Sequence, residues 1–222
     1  MFRKEPYIIN EGTPNDVKFN LFKRINTGGL VLTAQEIRQA LNQGIPADFI
    51  TELSNFSEFK YFRINPKRML DKDFVNRFLA FYLFSYEKYR PELDDFLNTA
   101  MGKIKEFANP NRTEIKIDFK KSMLRAMELF GEFAFRKRYD LTTNKKSRIN
   151  KALFEVWSVV LSKLTDNEFD SIKKKKKHLN ADFVQIMNND KDFEKSISTA
   201  TGDPKNVRKR YETTLSLVEK YK

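Results

Sequence analysis

Residues 22–38, FKRINTGGLVLTAQEIR, combine a glycine pair with a helix-capping box, and this combination predicts a sharp corner between two helices. Gly28 and Gly29 can adopt positive φ and allow another group to approach the backbone closely. Thr33 with Glu36 three residues later is a capping box, so a new helix begins there. An ordinary helix–turn–helix corner with standard caps explains the same residues.

The corner also gathers polar side chains that suit an anion. Backbone N–H groups around a glycine turn and at a helix N-terminus bind phosphate, and an arginine can hold two oxygens at once. Glu36 either orients one arginine or caps its own helix. The functional interpretation is a nucleotide- or phosphate-binding site formed by Arg24, Asn26, Thr27, Gly28, Gly29, Glu36 and Arg38.

The rest of the sequence also favours helices. Only 7 Gly and 7 Pro occur beside 32% charged residues, which is typical of a helix-rich protein. A long helix is predicted over 70–89, and its wide apolar face makes it the central helix. We therefore predict a mainly α fold, an irregular helical domain of about eight to ten helices. One short N-terminal strand over residues 4–11 would need an edge to pair with.

A turn-forming run, Asn109-Pro110-Asn111-Arg112-Thr113, is the best candidate for a boundary. It divides an N-terminal helical part, 1–108, from a C-terminal basic helical part, 109–222, within one continuous domain. Thr165 and Glu168 form a second capping box. Further helices are predicted over 118–138, 148–164, 165–177 and 204–221.

The chain carries 42 Lys and Arg against 30 Asp and Glu, a formal net charge of +12. Residues 1–60 are balanced, so the whole excess lies in 61–222. A one-sided positive field suggests a polyanionic partner, most simply nucleic acid. Solubility explains a basic composition equally well.

Three basic clusters are candidates for nucleic-acid contact. Basic residues near Tyr139 can grip a nucleic-acid strand, although a solvated loop explains them too. The lysine run, the five consecutive lysines at 173–177, is either a solvated helix end or a surface that contacts phosphates without recognising a base sequence. The charges of the last helix cannot all face one ligand. The candidate residues are Arg136, Lys137, Arg138, Lys145, Lys146 and Arg148, then Lys173, Lys174, Lys175, Lys176 and Lys177, and finally Arg208 and Arg210.

Several classes of site are excluded by composition. The chain has no Cys, which excludes disulfides, zinc–thiolate sites and thiol nucleophiles. Its one histidine, His178, has no partner at metal-binding spacing, so no metal site is predicted. No signal peptide and no apolar run of about 18 residues is present, so a cytoplasmic protein that does not enter a membrane is expected.

The segment LFKRINTGGLVLTAQEIRQAL, residues 21–41, resembles the F-x-R-I-N-T-G-G-x-x-L-x-x-x-E-x-R signature of the GmrSD-type restriction endonuclease N-terminal domain family. Further blocks resemble the same family, and together they cover most of the chain. These blocks are Arg68-Met69-Leu70-Asp71, the helix from Phe74 to Phe81, Phe96-Leu97-Asn98-Thr99-Ala100-Met101, and the closing helices over 192–211.

The resemblance implies a role in restriction of foreign or modified DNA. The family's D-G-Q-Q-R motif, which is linked to nucleotide hydrolysis in a ParB-like α/β segment, does not occur in this sequence, and its histidine-based nuclease domain is missing. We therefore expect a non-catalytic or partner-dependent helical part of a GmrSD-like phage-defence protein. It would bind DNA through its basic surface and need an upstream ParB-like segment or subunit.

No cofactor is expected for the isolated chain. A nucleoside triphosphate is expected once the partner segment is present. Two alternatives remain open. One is an enzyme that binds and hydrolyses a nucleotide with the Asn26–Gly29 and Arg38 corner. The other is a truncated structural remnant with an apolar seam in residues 1–40.

Overall fold

The computed structural model describes residues 12–25 and 31–222. Within those ranges the chain forms twelve α-helices and no strand. This confirms the mainly α class. The predicted strand over 4–11 lies outside the described residues. The helices are α1 Asn15–Ile25, α2 Ala34–Leu41, α3 Ile45–Ser54, α4 Ser57–Lys60, α5 Leu70–Leu83, α6 Leu93–Lys103, α7 Asn109–Phe130, α8 Lys151–Lys163, α9 Asp166–Lys174, α10 Lys176–Asn189, α11 Lys191–Ser196 and α12 Pro204–Glu219.

Both predicted capping boxes are present. The Thr33 N–H donates to the Glu36 carboxylate at 2.7 Å, and the Glu36 N–H donates to the Thr33 hydroxyl at 3.2 Å. Thr165 and Glu168 make the same reciprocal pair at 2.7 and 3.3 Å. These caps satisfy backbone donors that a helix N-terminus otherwise leaves unpaired, so α2 and α9 start where the sequence predicts.

The predicted boundary at 109–113 is not a turn. These residues form the first turn of α7, with Pro110 at a position where its missing N–H costs nothing. Helix α7 ends at Phe130 rather than at 138, because Gly131 adopts a φ of 55°. Helix α5 ends at Leu83 rather than at 89, since the next residue is extended.

One apolar core connects the two predicted parts of the chain. Its cluster of buried side chains runs from Ala47 to Tyr221 and includes residues on both sides of position 108. Phenylalanine rings make up much of its centre: the ring of Phe119 lies 5.7 Å from Phe59 and 4.9 Å from Phe78, measured between centroids. Aromatic pairs of this kind add roughly 0.5–1.5 kcal/mol beyond their burial. None of the helices in the described ranges is both long enough and apolar enough to cross a membrane.

A chain of buried ion pairs runs through this core and connects α2, α5, α8 and α12. Arg38 lies 3.3 Å from Asp73, and Arg77 lies 3.5 Å from the same carboxylate. Arg77 also contacts Glu155 at 3.4 Å, and Arg210 holds Glu155 at 2.6 Å. We call these five residues, Arg38, Asp73, Arg77, Glu155 and Arg210, the buried ion chain.

The two carboxylates of the buried ion chain differ in their surroundings. Burial alone would raise the pKa of Asp73, but Arg77, Lys151 and Arg38 around it lower that pKa to about 2. Glu155 is fully enclosed, and this burial raises the pKa of its carboxyl group against the opposing effect of Arg210 and Arg77. Of the two carboxylates, Asp73 is therefore the one whose charged form the fold favours.

We expect stability to fall as the pH drops from about 4 to about 2. The pKa of Asp73 in the folded protein, about 2, lies below its ordinary value of 3.8, so the stabilisation is present above pH 4 and is lost as the pH falls toward 2. This difference in the pKa of Asp73 corresponds to about 2 kcal/mol in the free energy of unfolding. Urea unfolding of the parent chain and of Asp73→Asn at several pH values measures it. The two proteins should differ in pH dependence between pH 4 and 2, and parallel curves would contradict this assignment.

Candidate nucleic-acid interface

The predicted phosphate-binding corner is only partly described. Asn26, Thr27, Gly28 and Gly29 lie outside the described residues, so their prediction is not examined by the structure. Arg24 is exposed in the last turn of α1.

Arg38 of the corner is committed to the protein's own interior. Its side chain is only 1% exposed, and its Nη1 donates to Asp94 at 3.0 Å and its Nε to Gln35 at 3.0 Å. Its Nη2 faces Asp73 in the buried ion chain. A guanidinium enclosed by two carboxylates cannot clamp a phosphate unless they are displaced. The structure therefore places Arg38 as an interior ion-pair residue, which corrects its predicted exposure to a ligand.

Glu36 of the corner has two roles in the structure. It completes the capping box of α2, and its carboxylate accepts from Arg68 at 2.7 Å. The hydroxyl of Thr33 donates to the backbone oxygen of Arg68 at 3.3 Å. Two blocks that carry the family resemblance, the corner and the segment at Arg68, are thus joined directly. Hydrogen bonds and the ion pair with Arg68 lower the pKa of Glu36, although burial opposes this.

The sequence did not reveal the acidic partners of Arg38. Asp94 accepts from Arg38 at 3.0 Å and also binds Lys23 of α1 at 2.9 Å. Asp73 had no assigned role. Both carboxylates are more than thirty positions from Arg38, and no local pattern predicts which distant side chains meet.

Arg210 is not part of the basic surface. Its side chain is 0% exposed, and its Nε and Nη2 both donate to Glu155, at 2.9 and 2.6 Å. Its Nη1 donates to the backbone oxygen of Thr201 at 2.8 Å. The predicted nucleic-acid contact at Arg210 is therefore corrected to a structural ion pair. Its position on the inner face of α12, where Val207 and Tyr211 are also buried, is the reason.

Replacing Arg210 by Met should destabilise the fold and leave nucleic-acid affinity unchanged. Breaking a buried ion pair from one side costs about 3–5 kcal/mol, because the remaining charge stays buried. Arg208→Met is the matched control, since Arg208 is exposed two residues earlier and lies 3.8 Å from Glu212. We expect it to change stability by less than about 1 kcal/mol. Urea unfolding measures both variants, and equal losses would contradict the assignment.

Several predicted contact lysines are paired with carboxylates. Lys137 binds Glu194 at 3.0 Å, and Lys146 binds Glu132 at 2.8 Å. In the lysine run, Lys173 pairs with Glu128. The run does not continue one helix, since α9 ends at Lys174 and α10 begins at Lys176. Lys176 donates to the backbone oxygen of Glu128 at 3.3 Å.

Other predicted contacts are exposed and have no carboxylate within 4.0 Å in the described part of the chain. These residues are Lys145, Arg148, Lys174, Lys175 and Lys177. Arg138 is also without an ion pair there, but it lies over the ring of Phe133 at 4.0 Å and donates to the backbone oxygen of Leu141 at 2.8 Å. The free cations are therefore divided between the loop around 145–148 and the lysine run.

Arg148 lines a recess of about 530 Å³ that also contains Arg63, Arg136 and Lys151. A second recess of about 210 Å³ adjoins it, and the two have Phe62, Arg63 and Arg136 in common. Lys60 and Lys146 line the second recess. We call the two recesses together the basic groove, with the six cations Lys60, Arg63, Arg136, Lys146, Arg148 and Lys151.

Three separate segments position these cations. Arg63 follows α4, and Arg136 follows the 3-10 turn Gly131–Phe133. Arg136 forms an isolated antiparallel bridge with Ile149, and the Asn150 N–H donates to the Phe135 carbonyl at 2.8 Å. This bridge brings the chain back to the groove just before α8 begins. The α8 N-terminus adds the positive end of its helix dipole beside Lys151.

The guanidinium of Arg136 is held in place by backbone oxygens. Its Nε donates to the carbonyl of Glu132 at 2.9 Å, and its Nη1 donates to the carbonyl of Ser147. Neutral carbonyls fix the orientation of the guanidinium without cancelling its charge. Arg136 therefore remains a cation at the centre of the groove.

Left-handed backbone conformations cluster beside the groove. The φ angles are 53° at Arg63, 60° at Arg68, 55° at Met69 and 61° at Phe135. Such conformations cost on the order of 1–3 kcal/mol each for residues other than glycine. They persist where the surroundings fix them, and the ring of Phe135 packs on Phe62 at 4.9 Å. Strain of this kind is often concentrated at functional sites.

The groove is positive overall. Within the described part of the chain, two carboxylates form ion pairs with its cations: Glu132 pairs with Lys146, and Asp73 pairs with Lys151 at 2.7 Å. Six cations against two carboxylates leave an excess that suits phosphate groups. Arg63 and Arg148 make no ion pair with any part of the chain that is described, so both can bind an external anion.

Sequence reasoning found Arg136, Lys146 and Arg148 but missed the other half of the groove. Residues 56–62 are rich in aromatic side chains, and Phe62 packs into the core. The alternation of basic and aromatic residues in KYFR, 60–63, was the available indication, because this mixture is typical of nucleic-acid contacts. Lys151 gave no such indication, since it follows the polar loop as the first residue of a helix.

Comparisons of this chain with models of protein families, with curated proteins and with solved structures found no match. The resemblance to the GmrSD-type family therefore stays a prediction. Among the described residues, no group of three or more acidic or histidine side chains could hold a metal ion.

Proposed function

We propose that this chain binds nucleic acid through the basic groove, as the helical and non-catalytic part of a DNA-restriction protein of the kind that its sequence resembles. One observation carries the proposal: cations from three separate segments converge on one groove, and two of them, Arg63 and Arg148, form no ion pair with the described residues. Surface lysines kept for solubility have no reason to converge in this way.

The chemistry of the cations supports a phosphate-bearing ligand. Three of the six are arginines, whose planar donors fit phosphate oxygens in pairs. The adjoining loop adds Lys145, which is exposed and forms no ion pair with the described residues. A binding surface with several cations in a row is suited to a polymer of phosphates rather than to one small anion.

Catalysis is assigned to a partner rather than to this chain. Arg38, one of the two arginines of the predicted corner, is held by Asp73 and Asp94. The corner then has a structural role, in which α1 and α2 contact an upstream ParB-like segment. Exposed apolar side chains on α1, Val17 and Phe22, are consistent with such a partner.

The proposal is tested by measuring DNA affinity against salt concentration with a labelled oligonucleotide. The double variant Arg63→Gln with Arg148→Gln removes two phosphate contacts and should weaken DNA binding at least ten-fold at about 0.1 M salt. It should also reduce the slope of log affinity against log salt by about 1 to 2. Lys88→Gln with Lys105→Gln is the charge-matched control, because both lysines are exposed and lie outside the groove.

An equal loss in the two double variants would mean that net charge alone drives binding, and the groove would not be the interface. The lysine run provides a second comparison. If Lys174→Gln with Lys175→Gln weakens binding more than the groove variant does, the interface lies at the junction of α9 and α10 instead.

The isolated chain should hydrolyse neither ATP nor GTP. Turnover of radiolabelled nucleotide is expected to equal that of the buffer, and to appear only when a D-G-Q-Q-R segment is added. Arg24→Ala is the informative variant, since Arg24 is exposed and its loss leaves the buried ion chain intact. Turnover by the isolated chain that is lost in Arg24→Ala would contradict the non-catalytic assignment and favour the enzyme alternative.

A further inference from the structure

We infer that the basic groove takes unpaired nucleotides of single-stranded DNA, with the bases on its apolar floor and the phosphates on its arginines. This inference rests on the proposed function and specifies which form of nucleic acid the groove recognises. It follows from the side chains that lie between the cations.

The floor of the larger recess is apolar. Phe62 and Phe74 are buried beneath it, and Ile64, Leu70 and Ile149 are half-buried and line it. A duplex presents phosphates to a protein and keeps its bases stacked inside, so it would leave this apolar surface without a partner. An unpaired base has an apolar face that can cover such a floor.

An exposed aromatic ring lies in the smaller recess. Tyr61 is 41% exposed, and its ring meets that of Phe62 edge to face, with centroids 5.3 Å apart. The contact with Phe62 supports the ring from one side and leaves surface on which a base can stack. Stacking on aromatic side chains is the usual way in which proteins hold single strands without reading their sequence.

The two recesses lie side by side, and Arg63 and Arg136 belong to both. Successive bases of a strand can occupy the two recesses, while the phosphate between them meets these two arginines. Arg136 is fixed by the carbonyls of Glu132 and Ser147, so its charge is oriented before the ligand arrives. This arrangement matches the repeat of a single strand, in which one phosphate separates each pair of bases.

The side chains of the larger recess offer few acceptors to a 2′-hydroxyl. That hydroxyl both donates and accepts hydrogen bonds, and it is the group by which proteins tell RNA from DNA. Asn65 is the one neutral polar side chain among the described residues that line the larger recess, and its Oδ1 already accepts from the Lys67 N–H at 2.9 Å. The other lining side chains are apolar or cationic, so they provide no acceptor for the hydroxyl proton. We therefore expect the groove to prefer DNA.

The inference is tested by fluorescence anisotropy at about 0.15 M salt with three labelled ligands of one sequence: a 12-nucleotide DNA strand, its duplex and the RNA strand. We expect the DNA strand to bind at least ten-fold more tightly than the duplex, and the RNA strand to bind more weakly than the DNA strand. Tyr61→Ala should weaken binding of the DNA strand about ten-fold and leave binding of the duplex unchanged.

Two further variants make the result specific. Tyr61→Trp should restore binding of the DNA strand, which excludes a folding defect as the cause of the loss. Tyr139→Ala is the matched control, because Tyr139 is exposed to a similar degree, 45%, but lies outside the groove. It should bind like the parent chain. A loss in Tyr139→Ala without a loss in Tyr61→Ala would move the site to the polar loop and overturn the inference.

The two proposals fail in different ways. If the duplex binds as tightly as the single strand, and Arg63→Gln with Arg148→Gln weakens both, the single-strand inference is overturned and the nucleic-acid function stands. If that double variant changes no affinity, both are overturned. An RNA strand that binds as tightly as the DNA strand overturns the assignment to DNA.

Discussion

The fold depends on charges that are buried in pairs. The buried ion chain passes from Arg38 through Asp73, Arg77 and Glu155 to Arg210, and so connects α2, α5, α8 and α12. A lone charge in such a core would be strongly unfavourable, and each member is tolerated because its neighbours neutralise it. The arrangement also restricts packing, because a shift of any one helix would separate a donor from its carboxylate.

This constraint divides the cations of the chain into two groups. Arg38 and Arg210 point into the core, where carboxylates hold them, although both are candidates for ligand binding by sequence. Arg63 and Arg148 point into the basic groove and have no such partner in the described part of the chain. Lys151 belongs to both settings, since it lines the groove and binds Asp73. Lys151 thus connects the groove physically to the buried ion chain.

The basic groove depends on contacts between distant segments. The bridge between Arg136 and Ile149 closes the polar loop, and the packing of Phe135 on Phe62 brings that loop against the segment after α4. Arg63 and Phe135, one on each side, both have left-handed backbone conformations. Sequence reasoning recovered one side of the groove because its arginines and lysines are close together in the chain. It missed the other side because the partners are more than seventy residues away.

By itself, the sequence determined the helical class and the starts of α2 and α9 after the N-caps Thr33 and Thr165, because capping and helical periodicity act over a few neighbouring residues. It also determined the excess of positive charge. Only the tertiary structure decided which cations face solvent. Arg208 and Arg210 are two positions apart on α12, yet one is exposed and the other is enclosed by Glu155. Burial depends on which helix packs against which face, and that depends on contacts between residues far apart in the chain.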